Sequence, residues 1–200
     1  MPIGLREMIL PVGVCLAIIL PFLIFGPSIE TWTSTRLQDA APGVLGGLAF
    51  GTLALDGLLP VPSSLVSLAV ARALGAWTGA VVIWFGMTVG SAITWTVGRG
   101  VLGPIDTWLG GASNVPEWGW LTLVVFRPVP VLAEASVLMA AARGMKFLRL
   151  MVLTSLANIP VALLYGYFGS QVLGDVPLIY LLLGVGLVSC IAVGFTVMRR

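Results

Sequence analysis

Two short stretches decide how this sequence is read: Leu59-Pro60-Val61-Pro62-Ser63-Ser64 and Arg127-Pro128-Val129-Pro130-Val131. Each interrupts an apolar run, and each has an ionisable residue at its entrance, Asp56 before the first and Arg127 at the head of the second. Each is followed by an apolar arm that ends in Ala-Arg, at Ala71-Arg72 and Ala142-Arg143, and then by a glycine, Gly75 or Gly144. Proline removes a backbone donor and clashes with the preceding turn, so two prolines one residue apart end a helix. Unwound backbone is tolerated at membrane depth only where it lines a cavity or is buried in protein. A broken, charged segment that occurs twice is therefore a pointer to a transport site.

The surroundings belong to a membrane. Of the 200 residues 58% are hydrophobic and 9% charged, and the mean hydropathy is +1.08, outside the range of soluble globular chains. Uncharged stretches at 8–29, 73–98, 150–174 and 176–198 are each long enough to cross a hydrocarbon core of roughly 30 Å, so four full crossings are expected. The first reads as a retained anchor, because the apolar run continues through Ile24 without the small-residue site of a signal peptide. Cys15 and Cys190 fall within predicted spans and read as small apolar side chains, with no disulfide or metal motif. Histidine is absent, which removes the usual proton carrier near neutral pH and most metal chemistry. Proton handling then falls to carboxylates, and no cofactor is expected. With no nucleophile elbow either, an enzyme is the least expected class. The ten basic residues are dispersed and give no nucleic-acid surface.

The broken segments are too short to span. The arm at 63–75 has thirteen residues, about 20 Å as a helix, and the arms at 119–126 and 131–144 reach about 12 and 21 Å. Re-entrant hairpins fit these lengths better than crossings do. With the N-terminus cytoplasmic, Arg6, Arg99, Arg143, Lys146, Arg149, Arg199 and Arg200 fall inside and Arg36 and Arg72 outside, as the positive-inside rule requires. The expected fold is an all-α polytopic membrane protein, an inverted repeat of two facing re-entrant helical hairpins with about four transmembrane helices. Residues 1–42 form the anchor and an interfacial segment. Residues 43–170 form the core, with a hairpin at 43–75, a span at 76–98, a linker at 99–118, a hairpin at 119–144 and a span at 147–170. Residues 176–200 form a C-terminal helix. The Gly86-x-x-x-Gly90 spacing, with Gly79 and Gly98 in the same span, allows close helix packing, either within the monomer or in a homo-oligomer.

Three residues carry the candidate chemistry. Asp56 is a carboxylate in an apolar run, where a charge costs several kcal/mol and is rarely incidental; a capping or interfacial role is the alternative. Arg127 stands where the backbone opens, and its five-donor guanidinium can hold a phosphate in two-pronged fashion; a structural ion pair with Asp56 or Glu134 is the alternative. Glu134 gives the second hairpin an acid, suited either to a proton relay with Asp56 or to capping the second arm. Pro60, Pro62, Pro128 and Pro130 shape the openings that would contact substrate, while Arg72 and Arg143 end their arms and are placed to reach surface phosphates. Ser155, Asn158 and Tyr165 are weaker candidates, since such residues more often bond helix to helix. No metal site is expected.

Asp56-Gly-Leu-Leu-Pro60-Val-Pro62-Ser-Ser, the Gly86/Gly90 span ending Val97-Gly98-Arg99-Gly100, and Phe126-Arg127-Pro-Val-Pro130 before Ala142-Arg143-Gly144 together resemble the DedA family, also called the VTT-domain or SNARE-associated Golgi protein family. The resemblance covers about residues 43 to 170. It implies two facing re-entrant hairpins, with the acid at Asp56 and the arginine at Arg127. It also implies movement of lipids between leaflets: undecaprenyl phosphate recycling and proton-motive-force-dependent homeostasis in bacterial members, phospholipid scrambling in eukaryotic ones. The chain departs from the commoner pattern, because Ala133-Glu134 stands where a second arginine is usual. The resemblance implies a divergent bacterial-type member in the cytoplasmic (inner) membrane; the charge placement puts both termini on the cytoplasmic side.

The expected function is a flippase- or scramblase-like transporter. An anionic phosphate headgroup pairs with Arg127 between the hairpins, and protons are exchanged at Asp56 or Glu134. The alternatives are a proton-coupled small-solute or ion transporter and a non-transporting membrane scaffold.

Overall fold

A computed structural model describes residues 41–57, 63–108, 119–127 and 130–171, together with four helical positions, Gly13, Leu16, Leu20 and Ile24. Most of residues 1–42, read as an anchor and an interfacial segment, and the C-terminal crossing at 176–198 lie outside the described residues. So do Pro60, Pro62 and Pro128. Every element among the described residues is helical.

The first hairpin has arms α1, Pro42–Leu55, and α2, Ser63–Leu74. Proline sits in the first turn of α1, where its missing N–H is not needed, and α1 ends in a turn at Asp56 and Gly57. The long helix α3, Ala76–Val97, follows directly from Gly75, whose φ of 82° lets the chain reverse with no side chain to strain it. The second broken pair is α5, Gly119–Val125, and α6, Pro130–Ala142. Gly144, with φ 89°, then hands the chain to α7, Phe147–Gln171. Both arms therefore end in the same way, in a left-handed glycine that opens a long apolar helix.

The linker expected after Gly98 begins as helix. A π-helical turn at Gly98–Leu102 and a short helix α4, Gly103–Trp108, extend α3 into 33 continuous residues. Glycine and Pro104 read as breakers, but packing overrides them. A Cβ at Gly98 would lie 2.7 Å from the Leu138 carbonyl oxygen, so the bare backbone is what lets α6 close against the turn. Pro104 falls in the first turn of α4, where proline is tolerated.

The segment Ala76–Trp108 and residues Phe147–Ser170 of α7 are long and apolar enough to cross a membrane. They pack against each other more extensively than any other pair of described helices. Two tryptophans of α3 bond across to this side: Trp84 Nε1 donates to the Ser155 carbonyl of α7 at 2.9 Å, and Trp95 Nε1 to that of Met145, just before α7, at 3.0 Å. The outward face of α7 carries Val152, Leu156, Ile159, Leu163 and Tyr167, an exposed stripe at helical spacing that suits lipid.

Small residues set how the hairpins dock. A Cβ on Gly79 would meet the Ala71 backbone of α2 at 2.6 Å, and one on Gly90 would meet the Leu53 carbonyl of α1 at 2.8 Å. The glycine face of α3 is thus filled from within the chain. Ala71 packs at Gly79 and Ala141 at Gly98, nineteen residues apart and so about 28 Å along the helix, which puts the two arm ends at opposite ends of α3. One apolar cluster, including Leu53, Val70, Ile83 and Val161, joins the first hairpin to α3 and α7. A second, including Leu123, Val137 and Leu150, lies beneath α5 and α6.

Candidate functional site

The two breaks converge on one turn of α3. Arg127, in the turn that closes α5, is 3% exposed, and its Nη2 donates to Ser91 Oγ at 3.1 Å. The Ser91 hydroxyl is committed in turn, donating to the Met87 carbonyl at 2.9 Å. Three residues further along α3, Thr94 Oγ1 donates to Glu134 Oε2 at 3.2 Å. Ser91 and Thr94 lie on one helix face, so a single turn holds both ionisable groups of the second break.

The first break arrives from the other side. A Cβ on Gly57 would overlap Thr94 Oγ1 and lie 2.5 Å from Glu134 Oε2, so this backbone sits directly on the threonine–glutamate pair. Asp56, beside it at the end of α1, has the Ser63 hydroxyl at the start of α2 close enough to favour its carboxylate, so the two arms of the first hairpin meet there. The charge of Glu134 acts on both Arg127 and Asp56.

A cavity of about 30 Å³ lies among these groups, lined by Asp56, Ser63, Ser64, Ser67, Arg127, Glu134 and Tyr165, with Leu53, Met87, Ala133 and Val161 as its apolar wall. That volume holds a water molecule or two. The lining carries two carboxylates, one guanidinium, three serine hydroxyls and a phenol, a set able to bind an anion at Arg127 and exchange protons at the acids. Arg127 has capacity to spare: its Nε is buried without a hydrogen-bond partner.

Asp56, Arg127 and Glu134 are thus brought together. Glu134 lies beyond the first turn of α6, and its carboxylate bonds across to α3, so capping does not describe its contact. Arg72 is exposed in the last turn of α2, and Arg143 is half-buried just after α6, its Nε unpartnered; neither lines the cavity. Pro130 begins α6. Tyr165 lines the cavity, and Asn158 is fully buried beyond it. The sequence reading missed Ser91 and Thr94 as site residues, along with the serines of α2. The serines had a signal, since Ser63-Ser64 directly follows Pro62; Ser91 and Thr94 had none, as they sit in an apolar span among other hydroxyl residues.

The family model of the VTT domain matches residues 61–171, more than half of the chain and all of the second break. No curated protein and no solved structure matches the chain. The matched segment includes the cavity residues from Ser63 to Tyr165, and the chain belongs to the VTT-domain family, the membrane-associated DedA/SNARE-associated family.

Proposed function

We propose that this protein is a lipid transporter of flippase or scramblase type, which moves an anionic phosphate-headgroup lipid, undecaprenyl phosphate or a phospholipid, between leaflets. Arg127 takes the phosphate, and Asp56 and Glu134 exchange the protons that couple or reset the site. One observation carries the reading: a buried guanidinium at a helix break meets a neutral serine hydroxyl and keeps its Nε unpartnered beside a cavity. A planar donor fork with free N–H groups is suited to phosphate oxygens.

A cavity of about 30 Å³ is smaller than a phosphate headgroup, so the arrangement described is a closed one. Loading requires the two hairpins to part. The placement of Ala71 and Ala141 at opposite ends of α3 supports an inverted repeat, with one hairpin opening to each leaflet and four crossings in all. Arg72 and Arg143 then stand at opposite membrane faces, where long side chains can reach headgroups. Exposed Arg99, Lys146 and Arg149 mark the cytoplasmic face of a bacterial inner membrane, the side on which both termini lie in this reading.

Reconstitution in vesicles tests the proposal. Leaflet exchange of a fluorescent phosphatidylglycerol or a polyprenyl phosphate is expected with the native chain and lost with Arg127→Ala; exchange unchanged by that substitution overturns it. The water-sized cavity also favours a second reading, a proton-coupled transporter of a small solute or ion. That reading predicts a solute-dependent change in lumenal pH with no lipid movement.

A further inference from the structure

Asn158 lies one turn beyond the cavity and has no part in the site described above. It is 0% exposed; its Nδ2 donates to Thr88 Oγ1 at 3.3 Å, and its Oδ1 has no partner. Turning the amide over exchanges the orphaned atom and still leaves one orphan, because Thr88 offers a single hydroxyl to the pair. A buried amide left half-satisfied is costly in a protein interior and more so between two apolar helices, so the unused atom marks the place of a small polar partner.

The neighbours on α7 continue the pattern. Thr154, one turn earlier, is also 0% exposed, and its hydroxyl reaches only its own helix, the Met151 carbonyl, at 3.4 Å, which is long for such a bond. One turn and two turns later come Val161 and Tyr165, both lining the cavity, as does Met87 beside Thr88. Positions 154, 158 and 165 share one helix face. That face runs from the cavity back toward the start of α7, where Leu150 of the second apolar cluster is the one buried residue between Thr154 and the exposed Lys146 and Arg149.

We infer that Asn158, with Thr88 and Thr154, binds a file of water molecules that links the cavity carboxylates to the membrane face where α7 begins. The file is a path for protons, with Asn158 Oδ1 accepting from water and the two threonine hydroxyls able to accept or donate. It gives the acids access to one bulk phase while the cavity stays closed to a headgroup. Its purpose rests on the proton-coupled reading above; the track itself is tested independently of it.

The full chain with Cys15→Ser and Cys190→Ser, in lipid vesicles, receives one cysteine at a time. Silver ion, small enough for a water-filled track, is the probe, and modification is read as loss of later maleimide labelling of the denatured protein by mass spectrometry. Cysteines from Asn158→Cys and Thr154→Cys are expected to react at least about tenfold faster than that from Val137→Cys, which is 0% exposed in the apolar cluster under α5 and α6. Equal rates at 154 and 137 overturn the inference, and Thr154→Cys decides the matter if Asn158→Cys does not fold. Lipid exchange that survives Arg127→Ala, alongside fast silver modification at 154, would leave the track standing and remove the lipid reading. Slow modification alongside Arg127-dependent exchange would do the reverse.

Discussion

Thr94 on α3 donates to the Glu134 carboxylate on α6 at 3.2 Å, and the backbone of Gly57 from the opposite hairpin rests on the pair. One turn of α3 is therefore where both broken segments register. Ser91 on the same turn positions Arg127. The chemistry sits on the hairpins, but a rigid helix that contributes only hydroxyls fixes its geometry.

Thr94→Val keeps the shape of the side chain and removes the donor. A hydrogen bond to a charged group contributes about 1.5–3 kcal/mol, so the variant is expected to lose stability of that order in detergent melts. Its transport is expected to fall further than that of Thr94→Ser, which restores the hydroxyl. Equal transport by the valine and serine variants would remove Thr94 from the site.

Gly57→Ala tests the contact between the hairpins. The new methyl must displace Thr94 Oγ1 or the Glu134 carboxylate, and overpacking of this kind costs about 1–3 kcal/mol. Transport should fall while the cluster of Leu123, Val137 and Leu150 stays protected, which hydrogen exchange measured segment by segment can check. Exchange that accelerates equally in α5 and α6 would instead indicate global unfolding.

The parts legible in the sequence are those where a residue conflicts with its surroundings. Asp56, Arg127 and Glu134 stood out because a charge in an apolar run needs a reason, and the arm ends stood out because proline and glycine punctuate helices. Ser91 and Thr94 conflict with nothing. Thr78 and Thr96 on the same helix are exposed, and α3 is apolar on all sides, so no amphipathic pattern says which hydroxyls turn inward. The continuation through Gly98 to Trp108 was hidden for the opposite reason. Local signals there favour a break, and what overrides them is the approach of Leu138 and Ala141, a contact between residues some forty positions apart.

Gly75 and Gly144 end the two arms with φ of 82° and 89°. A side chain at positive φ with ψ near 168°, as at Gly75, costs about 1–3 kcal/mol, and nothing else opposes one there, since no atom lies within 4 Å of a Cβ placed on it. Gly75→Ala should therefore lower stability by roughly that amount through the backbone alone. Neither glycine touches the cavity, so folded protein of either alanine variant is expected to transport at the native rate; a transport defect larger than the stability loss would show that the arms move during the cycle.

Arg127 provides the sharpest contrast between binding chemistry and structure. Removing it leaves Glu134 without the cation that acts on it and with Asp56 nearby, and truncating one partner of a buried charged set costs about 3–5 kcal/mol. Arg127→Ala therefore combines a folding defect with any loss of binding and cannot separate them alone. Arg127→Lys keeps the positive charge and much of the stability, but replaces a planar fork with a point charge. Ser91→Ala keeps the fork and removes the hydroxyl that aims it. If phosphate is held in two-pronged fashion, the lysine variant fails to exchange lipid although it folds, and the Ser91→Ala variant exchanges it with weakened headgroup affinity, read from the dependence of rate on lipid content. If Arg127 is only a structural counter-ion, Arg127→Lys transports normally once its melting temperature is restored, and the phosphate site must be sought elsewhere.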